Sequence, residues 1–165
     1  MYPSVEAILE ANITLFREAG VPYLIWEHEP ILDFDTDEKV AARLGWTGAL
    51  TKSLFLKLKG SGYALLFTHK DQRLDTKSIK ALTGKRPSIA GDEEMTAVTG
   101  CLPKAVSPFT LPPDIPLIID PDVYKFKELM FTPGPPVNTM GFASRHLDNI
   151  LAAIPNPVLV LGNSQ

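Results

Sequence analysis

The chain has 165 residues, 45% hydrophobic and 21% charged, with 16 basic against 19 acidic side chains for a net charge of −3. That length suits a single domain, 1–165, burying roughly 70% of its unfolded surface, and the composition excludes disorder, collagen and any apolar run of about 18 residues that could span a membrane. One cysteine, Cys101, excludes an internal disulfide or a CxxC pair; with an N-terminus that carries Glu6 and Glu10 and does not read as a signal peptide, this fits a cytoplasmic protein.

Apolar residues at Val5, Ile8, Leu9, Ile13, Phe16 and Ala19 predict a first helix capped by Ser4 and ended by Gly20. Tyr23 to His28 reads as a strand closed by Pro30. The acidic run Asp33, Asp35, Asp37 and Glu38 reads as a solvated loop, with a short helix from Asp37 to Leu44 stopped by Gly45. Leu50–Lys57 and Gly62–His69 read as strands joined by a hairpin at Leu58-Lys59-Gly60-Ser61. A helix follows over Asp75–Leu82, then a short strand at Pro87–Ile89 and a helix capped by Asp92 through Val98. Ile115–Ile119 is a buried-type strand, and Phe126–Phe131 is a strand paired with something beyond Gly134. Ser144 caps a last helix over Arg145–Ala153, and a Pro-rich tail fills 155–165. Prolines and glycines concentrate at 99–116 and 132–141, stiff loops of the kind that line sites. The irregular interleaving predicts an α+β fold with a mixed, barrel-like sheet flanked by helices.

Charge is unevenly spread: residues 52–86 hold nine basic and two acidic side chains, while the flanking segments are net acidic. The segment reads either as a solvated face or as a patch that steers a polyanion. A net-acidic chain without a recognition-helix pattern argues against DNA binding.

Strand alternation puts Lys52 on one face with Leu54, Leu56 and Leu58. Such a lysine either snorkels to water or is held at a cavity mouth to grip a phosphate or polarised oxygen. Gly100 suits a helix C-cap, and the stiff stretch from Gly100 to Phe109 could equally aim backbone N–H groups at a carbonyl. Cys101 has no histidine near it in the sequence and reads as a packed thiol rather than a nucleophile. In Thr132–Thr139, Gly134 permits close backbone approach, and Asn138 and Thr139 offer ligand contacts. His28 with Asp33 and Asp35 lacks a metal-ligand spacing, and His69 and His146 read as structural. No P-loop, GxGxxG, GxSxG or HExxH motif is present.

The pattern resembles the YbaK, or prolyl-tRNA-synthetase-associated, family of aminoacyl-tRNA editing domains. The matching residues are His28-x-Pro30, the strand Thr51-Lys52-Ser53-Leu54-Phe55-Leu56, Arg73-Leu74-Asp75-Thr76-Lys77, the loop Gly100-Cys101-Leu102-Pro103 with Val106-Ser107-Pro108-Phe109, and Ile118-Ile119-Asp120. The likeness spans about residues 21–152. It departs at Lys104, where the family has glycine, and at Thr132-Pro133, where alanine-specific members carry a histidine. The resemblance implies a free-standing trans-editing hydrolase that cleaves the ester of a mischarged tRNA, Ala-tRNA(Pro) or another with a small amino acid, without metal or cofactor. It implies that Lys52 holds the terminal nucleotide or its phosphate, and that backbone at Gly100 and Cys101 orients the water or carbonyl. His28, Pro30, Pro103, Ser107, Pro108, Phe109, Gly134, Asn138 and Thr139 would line the substrate pocket. The implied partners are the tRNA acceptor end with its 3′-terminal adenosine, and a synthetase or elongation factor; no membrane or DNA. The alternative is a catalytically degenerate relative that binds aminoacyl-tRNA or a small metabolite.

Overall fold

Local signals start and stop most elements. In the computed structural model, which describes residues 4–162, the first helix, α1 (Val5–Glu18), is capped by the Ser4 hydroxyl accepting from Ala7 N–H, and it buries Ile8, Asn12 and Phe16 on one stripe. Strand β1 (Leu24–Glu27) follows. Helix α2 (Phe34–Leu44) begins a turn earlier than the sequence predicts. The Asp33 carboxylate accepts from Thr36 N–H at 2.7 Å, so the acidic run is not a loop but the helix's first turn, where the macrodipole favours negative charge. The hairpin strands β2 (Ala49–Leu58) and β3 (Tyr63–His69), helix α3 (Thr76–Thr83) capped by Asp75, and strand β4 (Pro87–Ile89) lie where expected.

Helix α4 (Asp92–Thr99) is preceded by Gly91 as its N-cap, so Asp92 is its first helical residue rather than its cap. Strand β5 (Leu117–Ile119), a 3₁₀ turn at Pro121–Lys125, β6 (Glu128–Phe131) and β7 (Asn138–Ala143) follow. Asn138 and Thr139 are therefore strand residues, and the expected loop ends before them. Ser144 does not cap the last helix. Its hydroxyl donates to the Phe126 carbonyl, and a 3₁₀ turn over Ser144–His146 leads into α5 (Leu147–Ala153). The Pro-rich tail contains a strand, β8 (Val158–Val160), where a β-branched run pairs with β5; residues 163–165 of that tail lie outside the described residues.

The strands form one mixed sheet in the order β1-β7-β6-β2-β3-β5-β8, with β4 also pairing with β2. β2 runs antiparallel to β3 and β4 and parallel to β6. Helices flank the sheet, and both its faces are buried. One carries the larger core, where Phe16, Phe109, Phe131 and Phe142 meet at ring separations of 5.1–6.2 Å. The other packs Leu56, Leu58, Leu66 and Ile118 with Ile79 of α3.

Candidate active site on the open edge of β2

β3 pairs with β2 along residues 51–57 on one side. On the other side β6 pairs only with Ala49 and Leu50, and β4 only with Leu56–Leu58. Between them, at residues 52–54, the edge is left open. Leu58 N–H donates to Gly62 and Lys70 N–H to Leu50, so the even-numbered residues of β2 bond to β3. Phe55 accepts from Ala90 N–H on the far side. By the alternation of an antiparallel ladder, the N–H and C=O of Ser53 point away from β3 and into the notch.

A cavity of about 420 Å³ fills this notch. Its walls are Thr51–Phe55 of β2, the segment from Ile31 through the start of α2, Ile89 at the end of β4 with Ala90 after it, Asp92 and Met95 of α4, and Lys104, Val106 and Thr132 from the two stiff loops. Apolar side chains dominate, with five charged groups among them: Lys52, Lys104, Asp33, Asp37 and Asp92. This is the composition of a small-molecule site: mostly apolar, with a few placed polar groups.

Lys52 continues the row of Leu54, Leu56 and Leu58, and its ammonium donates to the Gln72 carbonyl. Partial burial pulls its pKa down, and the charge of Asp71 works against that. Two of its three N–H donors remain for a ligand. Asp33 is held below the usual carboxylate range, first by the Thr36 backbone N–H, with the charge of Lys104 adding to the effect. Asp37, on the next turn, has the opposite environment: burial pushes its carboxyl up to about 6, against the pull of the Lys70 charge, and Glu38 adds to the rise.

Of the residues expected at the site, Lys52 alone lines this cavity; the others lie outside its wall. Gly100, with φ 79°, is the C-cap of α4 and donates to Thr96; Cys101 N–H donates to the Thr99 hydroxyl. The Cys101 thiol is 2% exposed, accepts from Ser107 N–H, and is pushed up by burial. The face this loop turns to the cavity is Lys104 and Val106, while Pro103 is exposed outside it. Ser107, Pro108 and Phe109 are buried behind, Phe109 inside the aromatic core. Gly134, at φ 131°, packs on α1, where a Cβ would stand 2.7 Å from the Val5 carbonyl oxygen. His28 Nδ1 donates to the Glu29 carbonyl (2.7 Å), and its Nε2 is hydrogen-bonded to the Thr139 hydroxyl (2.8 Å). Asn138 donates to the Trp26 carbonyl. His28, Asn138 and Thr139 therefore tie β1 to β7, and exposed Pro30 leads from them to the cavity wall at Ile31.

Two residues were missed in the sequence. Asn12, fully buried on the apolar stripe of α1, donates to the Ser107 hydroxyl and the Pro133 carbonyl, both at 3.0 Å, and so pins the two stiff loops together. An amide between Ile8 and Phe16 at spacings of four was the available signal. Asp37 was hidden among acidic neighbours, although it stands one turn before the buried Val40 and so shares its face. Among the described residues, His69, Asp120 and Asp122 bring ligand atoms within 4.8 Å of one another. Asp120 already accepts from the Thr68 hydroxyl and Asp122 N–H, and Asp122 pairs with Lys125, so internal donors balance these carboxylates.

The chain belongs to the aminoacyl-tRNA editing domains: that family's model matches residues 33–149. Family membership assigns the chain to aminoacyl-tRNA editing. It is 28% identical over 127 residues, 74% of this chain and 75% of the other, to the multifunctional Ser/Thr-tRNA deacylase ProXp-y of Escherichia coli (strain K12). The fold is shared with the crystal structure of a hypothetical protein (TM-score 0.76, 24% identity, 91% of this chain and 97% of that one). It is shared also with a protein described as a candidate trans-editing enzyme for prolyl tRNA synthetase (TM-score 0.72, 20% identity, 95% and 98%).

Proposed function

We propose that the protein acts in trans on mischarged tRNA, removing a small amino acid from the 3′-terminal adenosine. The observation that carries this reading is Lys52, partly buried on an open strand edge and lining a cavity of about 420 Å³. In the reaction water adds to the ester carbonyl, and the tetrahedral adduct collapses to free amino acid and the tRNA 3′-hydroxyl. Esters are already reactive, so positioning and oxyanion stabilisation suffice without a strong side-chain base. Lys52 holds the terminal phosphate or the developing oxyanion, and the Ser53 N–H on the same edge is a second donor. The rigid loops set the cavity's size by holding Val106 and Thr132 in its wall. A small apolar pocket separates amino acids differing by one methylene by only about 1–3 kcal/mol, which is why a second, hydrolytic sieve is useful. The curated relative is a Ser/Thr-tRNA deacylase, and Ser53 and Thr132 among the residues lining the cavity suit a hydroxylated side chain as well as alanine.

The test is a panel of mischarged tRNAs, with seryl-, threonyl- and alanyl-tRNA species foremost, followed for ester loss with the native protein and Lys52→Ala. Hydrolysis of one or a few species, reduced at least about 100-fold in a variant that keeps its melting temperature, supports the reading. Tight tRNA binding without hydrolysis of any species would instead make the protein a binding relative.

A further inference from the structure

Of the three carboxylates that line the cavity, two have local work. Asp33 caps α2, and Asp92 is an exposed first-turn residue of α4. Asp37 also lies in the first turn of its helix, α2, but differs from Asp92 in its surroundings. It is partly buried in the cavity wall, and among the described residues its carboxylate has no hydrogen-bond or ion-pair partner. The nearest charges from the surrounding elements are Lys70, at the end of β3, whose ammonium is bonded to Glu38, and Glu38 itself. The other charged groups on the cavity are Lys52, Lys104, Asp33 and Asp92. A carboxylate taken from water without a donor is costly, and the cost is relieved when a cation enters beside it.

An aminoacyl ester brings such a cation. Its α-ammonium lies one carbon from the scissile carbonyl, and its nucleotide end carries phosphate. The cavity matches that polarity, with cationic Lys52 on β2 and anionic Asp37 on α2. We propose that Asp37 receives the α-ammonium of the aminoacyl group, so that the site selects esters with a free, protonated amine. This rests on the deacylase reading and adds to it the chemical class of the substrate.

The probes are stable amide-linked analogues of the aminoacyl terminus, 3′-amino-3′-deoxyadenosine 5′-monophosphate carrying alanyl, seryl or lactyl groups. Lactyl replaces the amine of alanyl by a hydroxyl at nearly unchanged size. By calorimetry at pH 7 the native protein should bind alanyl at least about tenfold tighter than lactyl, and Asp37→Asn should bring that ratio near one. The native preference should be greatest between about pH 6, where Asp37 ionises, and about pH 8, where the amine loses its proton. A native ratio near one, or a ratio that survives in Asp37→Asn, overturns the proposal. So does a variant that alters only the seryl-to-alanyl ratio, since Asp37 would then read the side chain. The acid limb of the native pH profile needs no variant: a preference that persists unchanged well below pH 6 overturns the assignment even where Asp37→Asn misfolds. Ester cleavage of the matching aminoacyl-tRNAs is measured alongside: the expected ratio without cleavage sinks the deacylase reading alone, and cleavage with a ratio near one sinks the Asp37 assignment alone.

Discussion

Burial holds the Asp37 carboxyl at about 6, above the ordinary 3.8, and that gap links stability to pH. Below about pH 4 the group is neutral in both folded and unfolded chains. Between about 4 and 6 the folded chain keeps a proton that the unfolded chain has lost, so stability falls as pH rises, and above about 6 the penalty is complete. Taken whole, that gap is about 3 kcal/mol; discounted for the part of the carboxyl that still meets water, it is about 1 kcal/mol. Asp37→Asn should therefore be more stable than the native protein in urea at pH 7 by about that amount and no more stable at pH 4. An equal gain at both values would show that the carboxylate is not desolvated. Asp37 escaped notice in the sequence because three acidic neighbours suggested water on all sides, and only the cap at Asp33 fixes which of them turns inward. Lys52 was legible, since a lysine in a row of leucines calls for an explanation on the spot. Lys104 was legible only as a departure. Its φ of 65° shows why glycine suits the position: the left-handed conformation costs a side-chain-bearing residue about 1–2 kcal/mol.

The site's walls come from different elements, and α1 joins two of them. Asn12 reaches Ser107 in one loop and Pro133 in the other, while Gly134 lets the second loop lie against the helix backbone. Asn12→Ala would leave the buried Pro133 carbonyl without this donor and open a small void, costing about 2–3 kcal/mol. Hydrogen exchange near Val106 and Thr132 should then quicken while that of β3 does not, and turnover should fall with Lys52 untouched. Uniform quickening across the sheet would mean that Asn12 supports the whole fold and not the loops. At this scale most helices and strands were legible from periodicity, caps and glycine stops. The misreadings share one cause: at α2, α4, α5 and β8 the deciding partner is a backbone group or a neighbouring strand, which the side-chain pattern does not name. The open edge of β2 was illegible for the same reason. It depends on where β6 and β4 begin and end, and neither boundary is encoded in the strand it exposes.

Over the whole molecule the basic segment does not form one patch. Lys70 pairs with Glu38, and Lys52 lines the cavity. Lys57, Lys59 and Arg86 instead gather around a groove of about 550 Å³ where β2 turns into β3 and β4 begins. Lys57 is paired with Glu94, whereas Lys59 and Arg86 are exposed. Five residues of extended strand separate Lys52 from Lys57, roughly 17 Å, so cavity and groove lie along a single edge, with β4 running from one to the other. A tRNA whose terminal adenosine is in the cavity can therefore lay backbone phosphates along the groove, while the acidic remainder of the chain limits attachment elsewhere. Two charge reversals, Lys59→Glu with Arg86→Glu, should lower kcat/KM on aminoacyl-tRNA at least about tenfold and flatten its salt dependence, because each lost phosphate contact removes close to one unit from the log–log slope. Hydrolysis of aminoacyl-adenosine, too short to reach the groove, should be unchanged. A parallel loss on both substrates would place the damage in the cavity, and no loss on either would send the acceptor stem along another face.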